Sequence, residues 1–331
     1  MDLTIIWAII IAFAVAMYVI MDGFDLGIGI LFPRVPVGKD RDQAMNSIAP
    51  VWDGNETWLV LGGGGLLAAF PLAYAIILPA LYAPLTAMLL GLVFRGVAFE
   101  FRWRDPGHRK FWDASFCLGS LVATFAQGIT LGALLQGIEV NGRAYGGGWW
   151  DWLTPFSLLT GASLVVAYAL LGATWLIWKT EGELNRLARR HAQWLLPAFL
   201  LMVGGVSLAT PFLEGQYHER WFRWPGLLFT GIMPMLFGGV ALICWEGIRR
   251  GRDWLPFATA LGLFALTLAG LGISIWPYVI PGRVTIWEAA APHSSQLFML
   301  VGAAVLVPVI LAYTAWSYWV FRGKVGEHGY H

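Results

Sequence analysis

Residues 4–32 read TIIWAIIIAFAVAMYVIMDGFDLGIGILF, and the first eighteen of them carry no charge. A bilayer core of roughly 30 Å is crossed by about 20 apolar helical residues, so this stretch predicts a membrane-spanning helix. Two carboxylates, Asp22 and Asp25, follow within the same run. At i and i+3 they share one helix face. The run is too long for a signal-peptide core and no basic segment precedes it, so it is expected to be a true span rather than a cleaved leader.

Eight further runs of this kind follow, at about 50–70, 75–101, 113–136, 154–178, 194–213, 226–247, 254–276 and 296–321. The composition agrees. Of 331 residues 58% are hydrophobic and 12% are charged, and the mean hydropathy is +0.66. A soluble domain carries about 25% charged residues, so a soluble enzyme and a disordered chain are excluded. The net charge of +1 offers no basic field for nucleic acid. The expected fold is therefore all-α, polytopic, with nine transmembrane helices in one integral membrane unit.

Lys and Arg collect in cytoplasmic loops. Seventeen of the 21 lie after odd-numbered spans: Arg34, Lys39 and Arg41; Arg95, Arg102, Arg104, Arg109 and Lys110; Lys179, Arg186, Arg189 and Arg190; Arg249, Arg250 and Arg252; Arg322 and Lys324. The alternate loops hold four: Arg143, Arg220, Arg223 and Arg283. This asymmetry predicts an outside N-terminus and a cytoplasmic C-terminus. Trp149, Trp150 and Trp152 fall at the outer mouth of the fifth span, where amphipathic rings sit. Gly23/Gly27 and Gly128/Gly132 are small-xxx-small pairs suited to close helix approach. The run Gly62–Gly65 reads as tight packing, with room for a gas or lipid path as the sharper alternative.

Charge inside a span is costly and marks function. Asp22 and Asp25 lie on span 1, Asp53 and Glu56 on span 2, and Arg95 and Glu100 on span 3. Counting about 1.5 Å per residue from the inner ends puts all six in one slab near the cytoplasmic side, and short connections make spans 1–3 neighbours. Five carboxylates face one Arg, so some must be protonated or solvated. Such a set suits proton uptake from the cytoplasm. The structural alternative is an Arg95–Asp pin, with Glu100 snorkelling to Arg104. Asn55, Thr57, Gln127 and Thr130 either extend a polar path or glue helices together.

The six histidines (His108, His191, His218, His293, His328 and His331) fall in loops or the tail on these span limits, so a bis-His haem between spans is not expected. His293 reads as the start of span 9. Cys117 and Cys244 read as small buried hydrophobes. No P-loop, CxxC or HExxH motif occurs.

Several segments resemble one family. Asp22-Gly23-Phe24-Asp25-Leu26-Gly27, residues 46–59 (NSIAPVWDGNETWL) and residues 94–102 (FRGVAFEFR) are similar to signatures of the first three helices of subunit II of cytochrome bd-type quinol oxidases. Leu135-Gln136-Gly137, residues 276–281 (WPYVIP), 306–311 (LVPVIL) and 313–316 (YTAW) follow in family order, so the resemblance covers essentially the whole chain. The length and the short loop between spans 6 and 7 resemble the compact, cyanide-insensitive-type branch. The resemblance implies two four-helix bundles (1–136 and 154–276) plus a peripheral ninth helix (296–321), in a bacterial inner membrane. It implies a haem-bearing subunit I as partner, carrying two haems b, one haem d and the quinol site, with no cofactor ligated by this chain. A bound quinone or lipid and a small accessory subunit are compatible with it. The implied activity oxidises quinol outside and reduces O2 to water with cytoplasmic protons. By the same resemblance Asp53 lies on a proton path, and Asp25 is linked to that route. Glu100 stands where some relatives have Asp, and Glu56 where some have Gln. The alternatives are a proton-coupled secondary transporter, which calls for broken helices in inverted repeats, and a purely structural partner.

Overall fold

The computed structural model describes residues 2–213 and 215–325; His328 and His331 lie outside them. The long helices are α1 (Leu3–Leu31), α3 (Trp52–Ala69), α5 (Tyr82–Arg104), α6 (Arg109–Leu135), α7 (Pro155–Lys179), α8 (Gly182–Ala209), α10 (Gly226–Arg249), α11 (Trp254–Ile275) and α13 (His293–Val320). Between them come the short helices α2 (Lys39–Asn46), α4 (Pro71–Ala80), α9 (Gly215–Phe222) and α12 (Ile286–Ala289). Two small antiparallel hairpins, Val140–Asn141 with Ala144–Tyr145 and Tyr278–Ile280 with Val284–Thr285, complete the connections. Eight described helices are long and apolar enough to cross a membrane, and nine if α3 and α4 are counted as one bent span.

That bend corrects the span expected at 75–101. α4 turns 120° from α3, and the crossing helix begins only at Tyr82. The cause is local. Phe70 precedes Pro71, and clash with the proline ring drives it out of the helical region to φ −130°, ψ 61°. α8 also begins earlier than expected, at Gly182 rather than 194, because its polar first turns stay helical ahead of the apolar run. His191 therefore lies on a helix, not in a loop.

α1 sits at the centre, packed on α3, α6 and α7 and touching α11 and α13. In a bilayer, packing rather than water exclusion drives such contacts, and small residues make them close. A Cβ on Gly27 would lie 1.8 Å from the Tyr168 carbonyl oxygen, and one on Gly172 would lie 2.4 Å from the Gly27 carbonyl carbon. Backbone thus meets backbone where α1 crosses α7. Gly91 and Gly119 join α5 to α6 in the same way, and Gly128 joins α6 to α7. The close α1–α7 contact buries residues 21–32 continuously, Asp22 and Asp25 included. Of the Gly62–Gly65 run, Gly62 and Gly65 pack on Val15 and Ile11, while Gly63 and Gly64 face open space.

The arginine-rich end is tied together by ion pairs. Arg102 bonds Asp113 (2.6 Å) and Asp42 (2.7 Å), and Arg41 bonds Asp113 (2.7 Å), linking α2, α5 and α6. Lys179 donates to the carbonyls of Phe321 (2.5 Å) and Gly323 (2.9 Å) and so caps the end of α13.

Candidate functional site

Three helices bring charge together beside α1. From α5, the buried Arg95 places Nη1 2.5 Å from Glu56 Oε1 of α3 and 3.2 Å from Asp22 Oδ1 of α1. Its Nη2 lies 3.8 Å from Asp25 Oδ2. The guanidinium is flanked by the Trp52 and Phe99 rings, each 5.8 Å from its centre, and the two rings stack on each other at 4.9 Å. These contacts supply cation–π attraction in a dry surrounding.

Asn55 Nδ2 donates to Asp25 Oδ2 at 2.7 Å and to the Met21 carbonyl at 3.3 Å. Tyr318 of α13 donates to Asn55 Oδ1 at 3.0 Å. The ninth helix therefore reaches the acidic cluster through Asn55. Tyr318 was not singled out from sequence, because a Tyr among Trp316 and Trp319 at a helix end reads as an interfacial ring.

The cluster is unbalanced. Three carboxylates share one guanidinium, with no other described cation in ion-pair range. Several buried polar atoms there lack hydrogen-bond partners among the described residues: both Asp22 oxygens, Asp25 Oδ1, Arg95 Nε and Nη2, Tyr18 Oη and Trp58 Nε1. Three carboxyls around one guanidinium leave the cluster short of positive charge, which burial makes costly. The Arg102 network contrasts with it. There Arg41, Arg102 and Arg109 meet Asp42 and Asp113, and the arrangement is that of a structural clamp.

Of the six residues expected from sequence, Asp22, Asp25, Glu56 and Arg95 converge. Asp53 does not join them: it lies in the first turn of α3 on the exposed side, with no ion pair among the described residues. A carboxylate there also complements the helix dipole. Glu56, one turn on and a quarter exposed, stands between Asp53 and Arg95. Glu100 stands apart, exposed and paired with Arg104 at 3.4 Å. Gln127 accepts from Tyr168 at 3.1 Å and so joins α6 to α7, whereas Thr57 and Thr130 bond only within their own helices.

Among the described residues, no three His, Cys, Asp or Glu converge as a metal site. His108 pairs with Asp105 in an exposed turn, where hydrogen bonds from His108 and Trp112 hold the Asp105 carboxyl below its usual range. Both cysteines are free.

The family model described as cytochrome bd terminal oxidase subunit II matches residues 3–321. The chain is 30% identical to cytochrome bd-I ubiquinol oxidase subunit 2 of Escherichia coli, covering 98% of this chain and 95% of that one. It is 29% identical to cytochrome bd ubiquinol oxidase subunit 2 of Bacillus subtilis, covering 97% and 96%. In fold it is similar to a chain of the bd oxidase from Geobacillus thermodenitrificans, with a TM-score of 0.74 at 18% identity over 98% of this chain and 100% of that one.

Proposed function

This chain belongs to the cytochrome bd terminal oxidase subunit II family, and from that premise we propose that it carries cytoplasmic protons toward the oxygen-reducing centre of a quinol oxidase. It is an integral multi-pass inner-membrane protein and a subunit of a respiratory terminal oxidase. In this reading, quinol oxidation and O2 reduction take place on the haems of subunit I, and this chain supplies scaffold and a proton path. Its arginine-rich end faces the cytoplasm. Spans 1–4 and 5–8 form two bundles, and α13 closes the first.

One observation carries the reading: a buried cluster with more carboxylates than cations opens, through Glu56, onto an exposed carboxylate. Asp53 heads an exposed face of α3 that carries Thr57 one turn on and then the apolar Val60 (73% exposed) and Leu67 (50% exposed). Lipid penalises an unpaired carboxylate, whereas a protein partner with a polar contact does not. We therefore assign this face to subunit I, with Asp53 at the crossing point. Protons would pass among Asp53, Glu56, Asp25 and Asp22, with Arg95 holding the three buried carboxyls within reach of one another.

The test is Asp53→Asn in the assembled oxidase. O2 reduction should fall at least tenfold, since proton-transfer groups contribute about 10²–10⁴-fold, while haem content stays at the parent level. Parental turnover removes Asp53 from the path. Loss of haem with loss of turnover makes Asp53 an assembly residue.

The transporter reading calls for a helix broken near the midplane. The 120° bend instead follows Ala69, about 25 Å along α3 from Trp52. α4 beyond it packs on the hairpin strand Ala144–Tyr145 and on α12. It is a surface element at the end opposite the arginines, and nothing in it favours transport.

A further inference from the structure

α13 has little packing of its own within this chain. Of its described residues only Gln296 and Ala303 are buried, and it rests on α1 and α3 along one side. Polar contacts at the two ends fix where it lies. At the outer end Trp7 Nε1 donates to the Gln296 carbonyl at 3.1 Å, and Gln296 Nε2 donates to the Ala291 carbonyl at 2.8 Å. At the inner end the segment 321–325 is strapped down. Lys179 of α7 donates to the Phe321 and Gly323 carbonyls, the Val325 N–H donates to the Lys179 carbonyl at 2.8 Å, and Gln43 of α2 donates to the Val325 carbonyl at 2.7 Å. Lys324 reaches the Thr180 carbonyl (3.1 Å) and Asp253 (2.5 Å).

Tyr318 lies within one turn of this strap, so the strap sets its depth. Its ring meets Trp175 of α7 edge-on at 6.2 Å, and Trp175 stacks at 4.2 Å on Phe24, the residue before Asp25. Its hydroxyl donates to Asn55 Oδ1 at 3.0 Å. That bond decides how the Asn55 amide is used. With the amide oxygen taken by Tyr318, both Nδ2 protons go to acceptors, Asp25 Oδ2 at 2.7 Å and the Met21 carbonyl at 3.3 Å. Turned over, the amide would set its oxygen against those same two acceptors.

Among the described residues no other hydrogen bond reaches the Asp25 carboxyl, whose Oδ1 has no partner. Asn55 is only 1% exposed. Without the Tyr318 hydroxyl its Oδ1 is a buried acceptor with no donor, which is costly. The amide then moves to find a partner, and Asp25 loses the bond that holds it.

We propose that Tyr318 is a positioning residue for proton transfer, holding the Asp25 carboxyl in place through Asn55. The proposal rests on the proton-path reading in taking Asp25 as a carrier, and the experiment separates the two.

The assembled oxidase is assayed for O2 reduction at saturating quinol, with haem content as the check on assembly. Tyr318→Phe keeps the ring beside Trp175 and removes only the hydroxyl. It should lower turnover about fivefold, the equivalent of one ordinary hydrogen bond, at parental haem content. In an Asp25→Asn background the same change should cost nothing more, because the group it positions is gone. Infrared difference spectra give a second readout: the band that Asp25→Asn removes should move in Tyr318→Phe. Parental turnover in Tyr318→Phe beside a slow Asp25→Asn overturns the proposal. So does a loss of equal size in both backgrounds, which reports a general packing defect. If Asp25→Asn itself turns over at the parental rate, the path through Asp25 fails, and the band alone judges the positioning: a shift supports the hold of Tyr318 on Asp25, and an unmoved band overturns it.

Discussion

Replacing Arg95 by leucine is the sharpest probe of the buried cluster, because the structure predicts an asymmetry. Arg95 is the cation shared by Glu56, Asp22 and Asp25, at 2.5, 3.2 and 3.8 Å. Removing one partner of a buried ion pair costs about 3–5 kcal/mol, since the other is left uncompensated. Arg95→Leu takes the one shared cation from all three carboxyls at once, so the upper end of that range is expected. Removing one acid is different. Asp22→Asn loses an attraction to Arg95 but also a repulsion from Asp25, and neither Asp22 oxygen makes a hydrogen bond among the described residues. Its cost should stay near about 1 kcal/mol, the worth of an ordinary hydrogen bond. Glu100→Gln, which breaks only an exposed pair with Arg104, should stay within about 0.5 kcal/mol. The assay is unfolding of the purified oxidase in mixed micelles titrated with SDS, followed by tryptophan fluorescence and haem absorbance. If Asp22→Asn, Asp25→Asn and Glu56→Gln each cost as much as Arg95→Leu, all three acids are ionised and needed. The cluster is then a pin, and the claim of surplus carboxyls is refuted.

Two other expectations rest on packing and on a cap. Gly27→Leu drives a side chain into the Tyr168 carbonyl, 1.8 Å from where its Cβ would stand. It should cost more than the usual overpacking range of about 1–3 kcal/mol, whereas Gly238→Ala, which meets nothing within 4 Å, should not destabilise in the same SDS titration. At α12, the Thr285 backbone N–H donates to Glu288 at 2.7 Å and holds its carboxyl below the ordinary 4.5. A lowered folded value means that the cap's contribution is whole above the unfolded value and fades as pH falls through the folded one. Amide exchange at Thr285 and Glu288, corrected for its intrinsic pH dependence, should therefore stay protected at pH 5 and quicken only well below pH 4.5; protection lost already at pH 5 would remove the cap.

Much of the site was legible because depth along a helix is arithmetic. Asp22, Asp25, Glu56 and Arg95 fall at compatible depths on three consecutive spans, and they meet. Depth alone put Glu100 in the same slab as Arg95, and it is rotation about the helix axis that parts them. Five residues at 100° each turn the second side chain about 140° around α5, and Glu100 indeed faces outward. The break at Phe70–Pro71 had a local signal in the proline, but the apolar run on either side masked it. The contact of Tyr318 with Asn55 had none, since the two are 263 residues apart.

By itself, the sequence determined that this is an α-helical membrane protein with its basic residues gathered at one end. Hydropathy and charge act residue by residue on partition and orientation, and they need no partner to be read. The tertiary structure alone decided which acids are buried against Arg95 and which face outward. Asp53 and Glu56 sit one turn apart on the same helix with similar local surroundings. The difference between them arises because α1 and α5 close on one side of α3, and Gly27 and Gly172 let α1 settle deeply against α7. Such close approach depends on two backbones meeting across distant segments, a quantity that no single stretch of sequence contains.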